Sequence, residues 1–267
     1  AFASNSILCR LALSRAEIDP ASFTTIRLLS GATALWILAA ILAPRSRGGG
    51  NWASAATLAA YAVAFSYAYV SLEAGVGALL LFGAVQATMI LGALRGGERT
   101  SWQEWAGLGA ALVGLVYLVS PGLAAPPPLG AALMVAAGVA WGVYTLRGRR
   151  SVAPVLATAG NFGRSAPLVL AVSVTVALGG GRVNASPAGI GLALASGVLA
   201  SGFGYVLWYA ALQHLTAVRA ATVQLVVPVL GAVGGIVLLG ESLSPRLVVA
   251  AVLILGGIGA AVVRPYS

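Results

Sequence analysis

The sequence is poor in the side chains that build most catalytic and metal sites. It contains one cysteine, Cys9, and one histidine, His214, in 267 residues. A single cysteine excludes an intrachain disulfide and a cysteine-based metal cluster, and a single histidine cannot form a histidine-rich metal site. We therefore predict that the protein binds no metal and no cofactor.

Charge is equally scarce, and its scarcity indicates the class of protein. Only 8% of the residues are charged and 60% are hydrophobic, whereas a soluble domain carries roughly 25% charged residues. The mean hydropathy is +0.97. We expect such a chain to be solvated by lipid. Because a membrane helix needs about 20 apolar residues, this length accommodates about ten of them.

Lysine is absent, since all fifteen basic residues are arginine, and the net charge is +9. The arginines lie at the ends of apolar runs and form no basic stripe, so they do not indicate nucleic-acid binding. In a ten-helix chain, Arg27 and Arg164 fall inside helices two and seven. The positive-inside rule places the face richer in arginine, with both termini, in the cytoplasm. That face has nine arginines (Arg45, Arg47, Arg95, Arg99, Arg147, Arg149, Arg150, Arg219 and Arg264), and the other has four (Arg10, Arg15, Arg182 and Arg246).

Ten apolar runs divide the chain and predict an all-α integral membrane protein with ten transmembrane helices. Three runs begin after a capping side chain that is followed by proline, at Asp19-Pro20, Ser186-Pro187 and Ser244-Pro245. This pairing is typical of helix N-termini. The runs cover residues 1–14, 21–43, 52–72, 75–94, 102–120, 128–146, 153–178, 187–213, 217–240 and 245–263.

The two halves of the chain carry the same passage. One spacing of 143 residues separates Gly97-Glu98 from Gly240-Glu241 and Ser101 from Ser244. Five helices is an odd number, so the second copy must run upside down in the membrane. We therefore predict an inverted-topology repeat, the usual construction of a secondary transporter. The predicted domains are residues 1–124, in which the start of the first helix is missing, and residues 125–267.

These features resemble the drug/metabolite transporter superfamily in its ten-helix form, which has two EamA-type domains. The resemblance is carried by Gly97-Glu98, Gly240-Glu241, Trp141-Gly142 at the opening of the second repeat, and Arg27 early in helix two. Phe2-Ala3 stands where the pattern has Trp-Gly in the first repeat. The resemblance implies two inverted five-helix repeats, a central cavity built by helices other than five and ten, and alternating access. The most similar members are the aromatic amino-acid exporters.

Polar and aromatic side chains inside the predicted spans are the candidates for substrate binding, because a polar group at membrane depth is expensive. The alternative is that they only hydrogen-bond a neighbouring helix. We expect Arg27 to reach the outer surface along its aliphatic stem and Arg164 to be the better ligand for a carboxylate. The candidates are Gln86, Gln224, Asn5, Asn161, Arg164, Tyr67, Trp141, Tyr144, Tyr205 and Trp208.

Three further residues are predicted to have structural roles rather than to bind substrate. Glu98 and Glu241 follow helix C-termini, and we expect each to hold the first amides of the next helix. Pro228 is expected to kink helix nine, because it leaves a backbone carbonyl without its donor. Glu73 is interpreted as a solvated loop charge. No acidic residue lies deep in a predicted span, so the sequence offers no evident carboxylate for proton coupling.

The sequence therefore predicts a secondary transporter that exports small organic metabolites, amino acids and in particular aromatic ones, by alternating access. A multidrug exporter or a nucleotide-sugar-type carrier of the same superfamily stays open, and a passive channel is the alternative from another class. An intramembrane enzyme lacks a nucleophile–base pair or a metal cluster. We expect a small-molecule substrate, a bilayer of a bacterial inner membrane, and a monomer, with a homodimer as the alternative.

The predicted orientation can be tested by labelling. Cysteines placed in loops 45–50 and 147–150, in a Cys9→Ser background, should resist an impermeant thiol reagent applied to intact cells, because these loops are predicted to be cytoplasmic. A cysteine at Arg182, on the opposite face, should react as the positive control. Ready labelling of the first two loops would show that the orientation is reversed.

Overall fold

The computed structural model describes residues 1–42, 49–95, 102–122, 125–149, 151, 153–212, 224 and 226–262. These residues form ten helices, as predicted, and no sheet beyond an isolated bridge between Ile18 and Ala185. The helices are α1 Phe2–Ser14, α2 Pro20–Leu42, α3 Trp52–Tyr69, α4 Ala74–Arg95, α5 Trp102–Val119, α6 Pro128–Gly148, α7 Pro154–Leu178, α8, α9 Val226–Leu239 and α10 Pro245–Val262. Helix α8 consists of Pro187–Ala195, a π-helical turn Ser196–Phe203, and Gly204–Leu212.

The three predicted capping side chains begin their helices as expected. Each accepts a hydrogen bond from a backbone N–H in the first turn, which is one of the donors that a helix start leaves without a partner. The bonds run from Ser22 N to Asp19 Oδ1 (2.9 Å), from Gly189 N to Ser186 Oγ (3.0 Å) and from Leu247 N to Ser244 Oγ (3.1 Å).

The surface of the bundle is apolar, as expected for a protein in lipid. Large side chains such as Leu129, Leu178 and Leu207 are mostly exposed. Within the described ranges, five helical segments are long and apolar enough to cross a bilayer: Pro20–Ile41, Ala74–Gly92, Pro128–Gly148, Pro154–Leu178 and Pro187–Trp208. Aromatic residues near the ends of runs are also exposed, which is typical of an interfacial belt; these are Trp36, Trp52, Trp102, Trp105 and Tyr117.

The main contacts between helices recur when each helix is replaced by its counterpart five places away in the other repeat. Helix α2 packs on α7, α4 on α9, and α5 on α10. The pair α3 and α6 is matched by α8 and α1, and the pair α4 and α6 is matched by α9 and α1. This replacement turns each of these pairs into itself or into another observed pair, as a two-fold relation between the halves does. Five helices per half is an odd number, so the fold is two inverted five-helix repeats. The predicted boundary after residue 124 stays a prediction, since residues 123 and 124 lie outside the described residues.

Small residues allow the helices to approach closely where the repeats meet. A Cβ at Gly138 in α6 would lie 2.5 Å from the backbone oxygen of Leu81 and 2.6 Å from Ala84 Cβ, both in α4. The backbone oxygen cannot move aside as a flexible side chain would. Glycine is therefore required here for packing, as is common between membrane helices.

Gly138→Ala should lower the thermal unfolding temperature of the detergent-purified protein, because overpacking typically costs about 1–3 kcal/mol. Gly109→Ala in α5 is the matched control, since a Cβ there meets nothing within 4 Å. The control should leave the unfolding temperature unchanged or raise it slightly, because glycine inside a helix is destabilising by roughly 0.5–1 kcal/mol relative to alanine. Equal unfolding temperatures for the two variants would contradict the close α4–α6 contact.

Candidate functional site

The centre of the bundle holds a group of buried aromatic rings from α1, α3, α6 and α8. Trp141 is its hub, with ring centroids at 4.8 Å from Tyr205, 5.1 Å from Tyr61 and 5.5 Å from Tyr144. Phe2 closes the group against Trp141 (5.6 Å). Helices α5 and α10 contribute no ring to it. We call this group the aromatic cluster, and it comprises Phe2, Tyr61, Trp141, Tyr144, Tyr205 and Trp208.

A chain of buried polar side chains adjoins the aromatic cluster. Arg27 Nη2 donates to Tyr61 OH (3.2 Å), and Arg27 Nε donates to Ser201 Oγ (3.0 Å). Asn5 Nδ2 donates to Ser201 Oγ (3.3 Å), and Ser196 Oγ donates to Asn5 Oδ1 (2.6 Å). We call Asn5, Arg27, Ser196 and Ser201 the polar centre. It joins α1, α2 and α8, which belong to different repeats.

The π-helical turn of α8 supplies both serines of the polar centre. A π turn widens the helix by one residue and is frequent at functional sites. Gly197 lies within this turn, where a Cβ would overlap the backbone oxygen of Arg27 and Ser30 Oγ. The missing side chain therefore lets α8 approach the backbone of α2 closely enough for Ser201 to reach the guanidinium of Arg27.

The prediction that Arg27 reaches the outer surface is wrong. Its side chain is 0% exposed, and its guanidinium lies over the rings of Tyr61 (5.4 Å) and Phe65 (5.1 Å). The residue is seven positions after Pro20, so it lies about 10 Å along α2 from the start of that helix. Neighbouring helices surround it at this depth, and the side chain turns inward to stack on aromatic faces, which attract a cation.

Arg164, the predicted ligand for a carboxylate, has a different set of contacts. Its Nη1 donates to the backbone oxygens of Gly49 (2.6 Å) and Gly160 (3.0 Å). Asn161 acts on the same segment, because its Oδ1 accepts from Asn51 N (2.9 Å) while its Nδ2 donates to Tyr144 OH (3.4 Å). Arg164 thus fixes the segment before α3 to α7, and Asn161 connects that segment to the aromatic cluster. Substrate binding by either residue stays a prediction.

The remaining candidates are distributed around the centre. Asn5, Trp141, Tyr144, Tyr205 and Trp208 are brought together, whereas Tyr67 lines a peripheral apolar groove of about 330 Å³ with Leu133, Leu168 and Val172. Tyr67 makes no ring contact with the aromatic cluster among the described residues, and its place in the substrate site stays a prediction.

Gln86 in α4 and Gln224 are both fully buried. Helices α4 and α9 pack together, and Gln224 is described directly before α9. The expectation that the two amides face one central space stays a prediction. The same holds for the kink at Pro228, because residues 213–223 and 225 lie outside the described residues.

Glu241 holds a helix start, but it is the start of α4 and not of the next helix as predicted. Its carboxylate accepts from Ala74 N through both oxygens (2.9 and 2.8 Å), and Oε1 also accepts from Arg10 Nε (3.3 Å). The chain turns back at Gly240, where φ is +69°, and the partial positive charge of the α4 N-terminus attracts the carboxylate. Ser244 already caps α10. Glu98 lies outside the described residues.

Sequence reasoning missed several residues of the site. Phe2 was noted only for the family pattern, Arg27 was expected at the outer surface, and Tyr61, Ser196 and Ser201 were not considered. Phe2 and Trp141 occupy matching places in the two repeats and touch each other, so the repeat itself was a signal for Phe2. No pattern in the sequence marks the π turn that aims the two serines.

Comparison with known proteins identifies relatives along the whole chain. The EamA-like transporter family model matches residues 1–120 and 128–263. An uncharacterized protein of Pseudomonas aeruginosa is 51% identical over 259 residues, which are 97% of this chain and 89% of the relative. A solved crystal structure of a protein has a TM-score of 0.67 at 19% identity and covers 97% of this chain and 94% of its own. That similarity supports the fold alone.

Two further relatives have names that describe transport. A Streptantibioticus cattleyicolor protein named "Probable terminal-alkyne amino-acid exporter" is 28% identical over 206 residues, which are 75% of this chain and 68% of the relative. A Salmonella typhimurium protein named "Probable amino-acid metabolite efflux pump" is 27% identical over 210 residues, which are 74% of this chain and 70% of the relative.

Glu241→Gln should lower the unfolding temperature and the membrane yield. It removes the ion pair with Arg10 and turns one oxygen into a donor, and a hydrogen bond to a charged group is worth about 1.5–3 kcal/mol. The substrate profile should not change, because the Glu241 carboxylate contacts α1 and α4 and no residue of the polar centre.

Glu73→Gln is the matched control. Burial, followed by the negative charge of Glu241, raises the pKa of Glu73, and Arg10 opposes that shift. When the pKa of a carboxyl is raised by folding, the folded protein loses stability as the pH rises through that pKa, because the ionised carboxyl is less favourable in the folded state. Neutralising Glu73 should therefore preserve or raise the unfolding temperature at neutral pH. A stable Glu241→Gln protein with altered substrate selectivity would contradict the structural role.

Proposed function

We propose an amino-acid export function from one premise: the chain belongs to the EamA-like transporter family. It is thus a multi-pass membrane transporter, and the intramembrane-enzyme alternative falls away. The finer proposal is that it exports small organic metabolites, amino acids and in particular aromatic ones, by alternating access. Relatives named as an amino-acid exporter and an amino-acid metabolite efflux pump support this substrate class.

The observation that carries the proposal is the aromatic cluster beside the polar centre. Tyr205 and Tyr144 are almost completely buried, and Trp141 is 2% exposed. These rings pack against one another in the middle of the bundle, and an aromatic side chain that entered between them would stack favourably. The amide and hydroxyl groups beside them can hydrogen-bond the polar end of the same molecule. A small solute with one apolar end and one polar end fits this division.

The alternatives of the same superfamily fit less well. A nucleotide-sugar-type carrier must neutralise a diphosphate, which calls for several basic groups. Among the described residues Arg27 is the only basic side chain that is buried. A broad multidrug exporter would need no hydrogen-bonded polar centre at all. The division between rings and polar groups therefore favours a small zwitterion.

The two repeats suggest how access could alternate. The contact of Glu241 with Ala74 and Arg10 holds α1 and α4 together at the end of the bundle where α4 begins and α9 ends. We infer that breaking this contact opens the centre toward that end. With both termini in the cytoplasm of a bacterium, that end is the outer face of the inner membrane.

Counterflow in proteoliposomes tests the substrate class. Proteoliposomes that contain the protein and are loaded with an unlabelled amino acid should take up labelled phenylalanine, tryptophan or leucine in exchange. The Trp141→Leu variant should reduce the exchange of phenylalanine about tenfold. One stacking contact between the substrate ring and the indole is worth about 0.5–1.5 kcal/mol, which is up to roughly tenfold in affinity. Trp102→Leu is the control, since Trp102 is 75% exposed at the surface. Exchange of cationic drugs with no exchange of any amino acid would overturn the proposal.

A further inference from the structure

Arg27 is a buried cation with no acidic partner among the described residues. Glu17, Asp19, Glu73 and Glu241 all lie in the loops between helices, and the ion pair found in the described part of the chain joins Glu241 to Arg10. A guanidinium stays charged in proteins. An isolated buried charge costs several kcal/mol, so a charge kept at this depth indicates a function.

The guanidinium of Arg27 has donor capacity left over. Of its five N–H groups, one at Nε and one at Nη2 donate to Ser201 and Tyr61, and Nη1 has no partner in the described residues. Its central carbon lies 5.4 Å from the ring centroid of Tyr61 and 5.1 Å from that of Phe65, and these contacts and the two hydrogen bonds hold the guanidinium in place. A planar fork that is held in place and still has free donors is the arrangement that binds a carboxylate through two hydrogen bonds.

The groups around Arg27 are neutral and already held in place. Ser201 accepts from both Arg27 and Asn5, and the Asn5 amide is fixed from its other side by Ser196. All of them are at most 2% exposed. A single positive charge in this neutral surrounding attracts an anion and repels an ammonium group. The site therefore discriminates by charge at one end of the substrate.

Arg27 is also next to the apolar part of the centre. Tyr61, which accepts from Arg27 Nη2, lies with its ring 5.1 Å from the ring of Trp141. The indole Nε1 of Trp208, at the other side of Phe2, is a buried donor without a partner in the described residues. A carboxylate at Arg27 would thus direct the attached side chain toward the aromatic cluster.

We propose that Arg27 binds the carboxylate of the exported metabolite and that its charge makes the transporter select carboxylate-bearing solutes over their amides and amines. This inference rests on the amino-acid export proposed above. Four other described arginines use their donors at the helix ends or on the backbone: Arg10 pairs with Glu241, Arg147 binds Ser54 and Asn51, Arg164 binds backbone oxygens, and Arg246 binds Ser120 Oγ and the backbone oxygen of Pro121.

The test compares each amino acid with its primary amide in proteoliposomes that contain the full chain. Unlabelled phenylalanine, leucine and threonine, and their amides, compete with the labelled amino acid in counterflow. The parent protein should prefer the acid by about tenfold or more, which corresponds to one charge-assisted contact. Arg27→Met should lose about tenfold or more in exchange of the acid while changing little toward the amide. Arg164→Met is the matched control and should keep the preference.

A stability measurement separates binding from a structural role. An unpaired buried charge is itself unfavourable, so its removal offsets the loss of the hydrogen bonds to Ser201 and Tyr61. Arg27→Met should therefore unfold near the temperature of the parent. If that variant does not fold, Arg27→Gln repeats the test, because its amide can still donate to Ser201 Oγ. A binding residue should lose transport selectivity without losing stability.

The outcomes are distinguishable. If the parent exchanges amino acids but Arg27→Met or Arg27→Gln retains the full preference for the acid, the role of Arg27 is wrong and the export function stands. Equal exchange of acid and amide by the parent also contradicts the role of Arg27, whatever the variants do. If the parent exchanges no amino acid in either direction, both the export function and the role of Arg27 are wrong.

Discussion

Lipid offers no hydrogen-bond partners, so each polar group below the headgroups must find its partner within the protein. This constraint explains the helical architecture, since helices satisfy their own backbones. It also explains why Asn5, Arg27, Ser196 and Ser201 occur as a connected group. Each of these side chains would be costly alone, and together they satisfy most of one another's hydrogen-bonding capacity. The N–H groups at Arg27 Nη1, which have no partner among the described residues, are therefore informative about function.

The two repeats share a helix plan but not a chemistry. Helix α8 has a π turn that carries Ser196 and Ser201, whereas its counterpart α3 is a regular α-helix that carries Tyr61. Arg27 is in α2, and its counterpart helix α7 has its arginine engaged with the backbone. Two-fold symmetry thus arranges the helices, and departures from symmetry give corresponding helices different polar side chains. Such a difference would suit the proposed substrate, whose two ends differ in charge.

Stability and function are divided between different parts of the molecule. Contacts at the helix ends are ion pairs, caps and loop clamps, such as Glu241 with Ala74 or Arg164 with Gly49. Close packing through glycines such as Gly138 holds the helices together between those ends. The polar centre links α1, α2 and α8 and keeps a positive charge that has no acidic partner among the described residues. A site that is less stable than its surroundings is common where binding and movement take place.

Much of the fold follows from the sequence alone, because its signals are local or periodic. Ten helices, the caps at Asp19, Ser186 and Ser244, and the repeat at Glu98 and Glu241 depend on composition and spacing along the chain. Trp141 and Tyr205 could be predicted as candidate site residues for the same reason. Only the tertiary structure decides that Arg27 turns inward, that Glu241 caps α4, and that a π turn brings Ser201 to a residue 174 positions away. The physical reason is that lipid and protein interior are both apolar, so a membrane helix shows no amphipathic pattern that says which face turns inward.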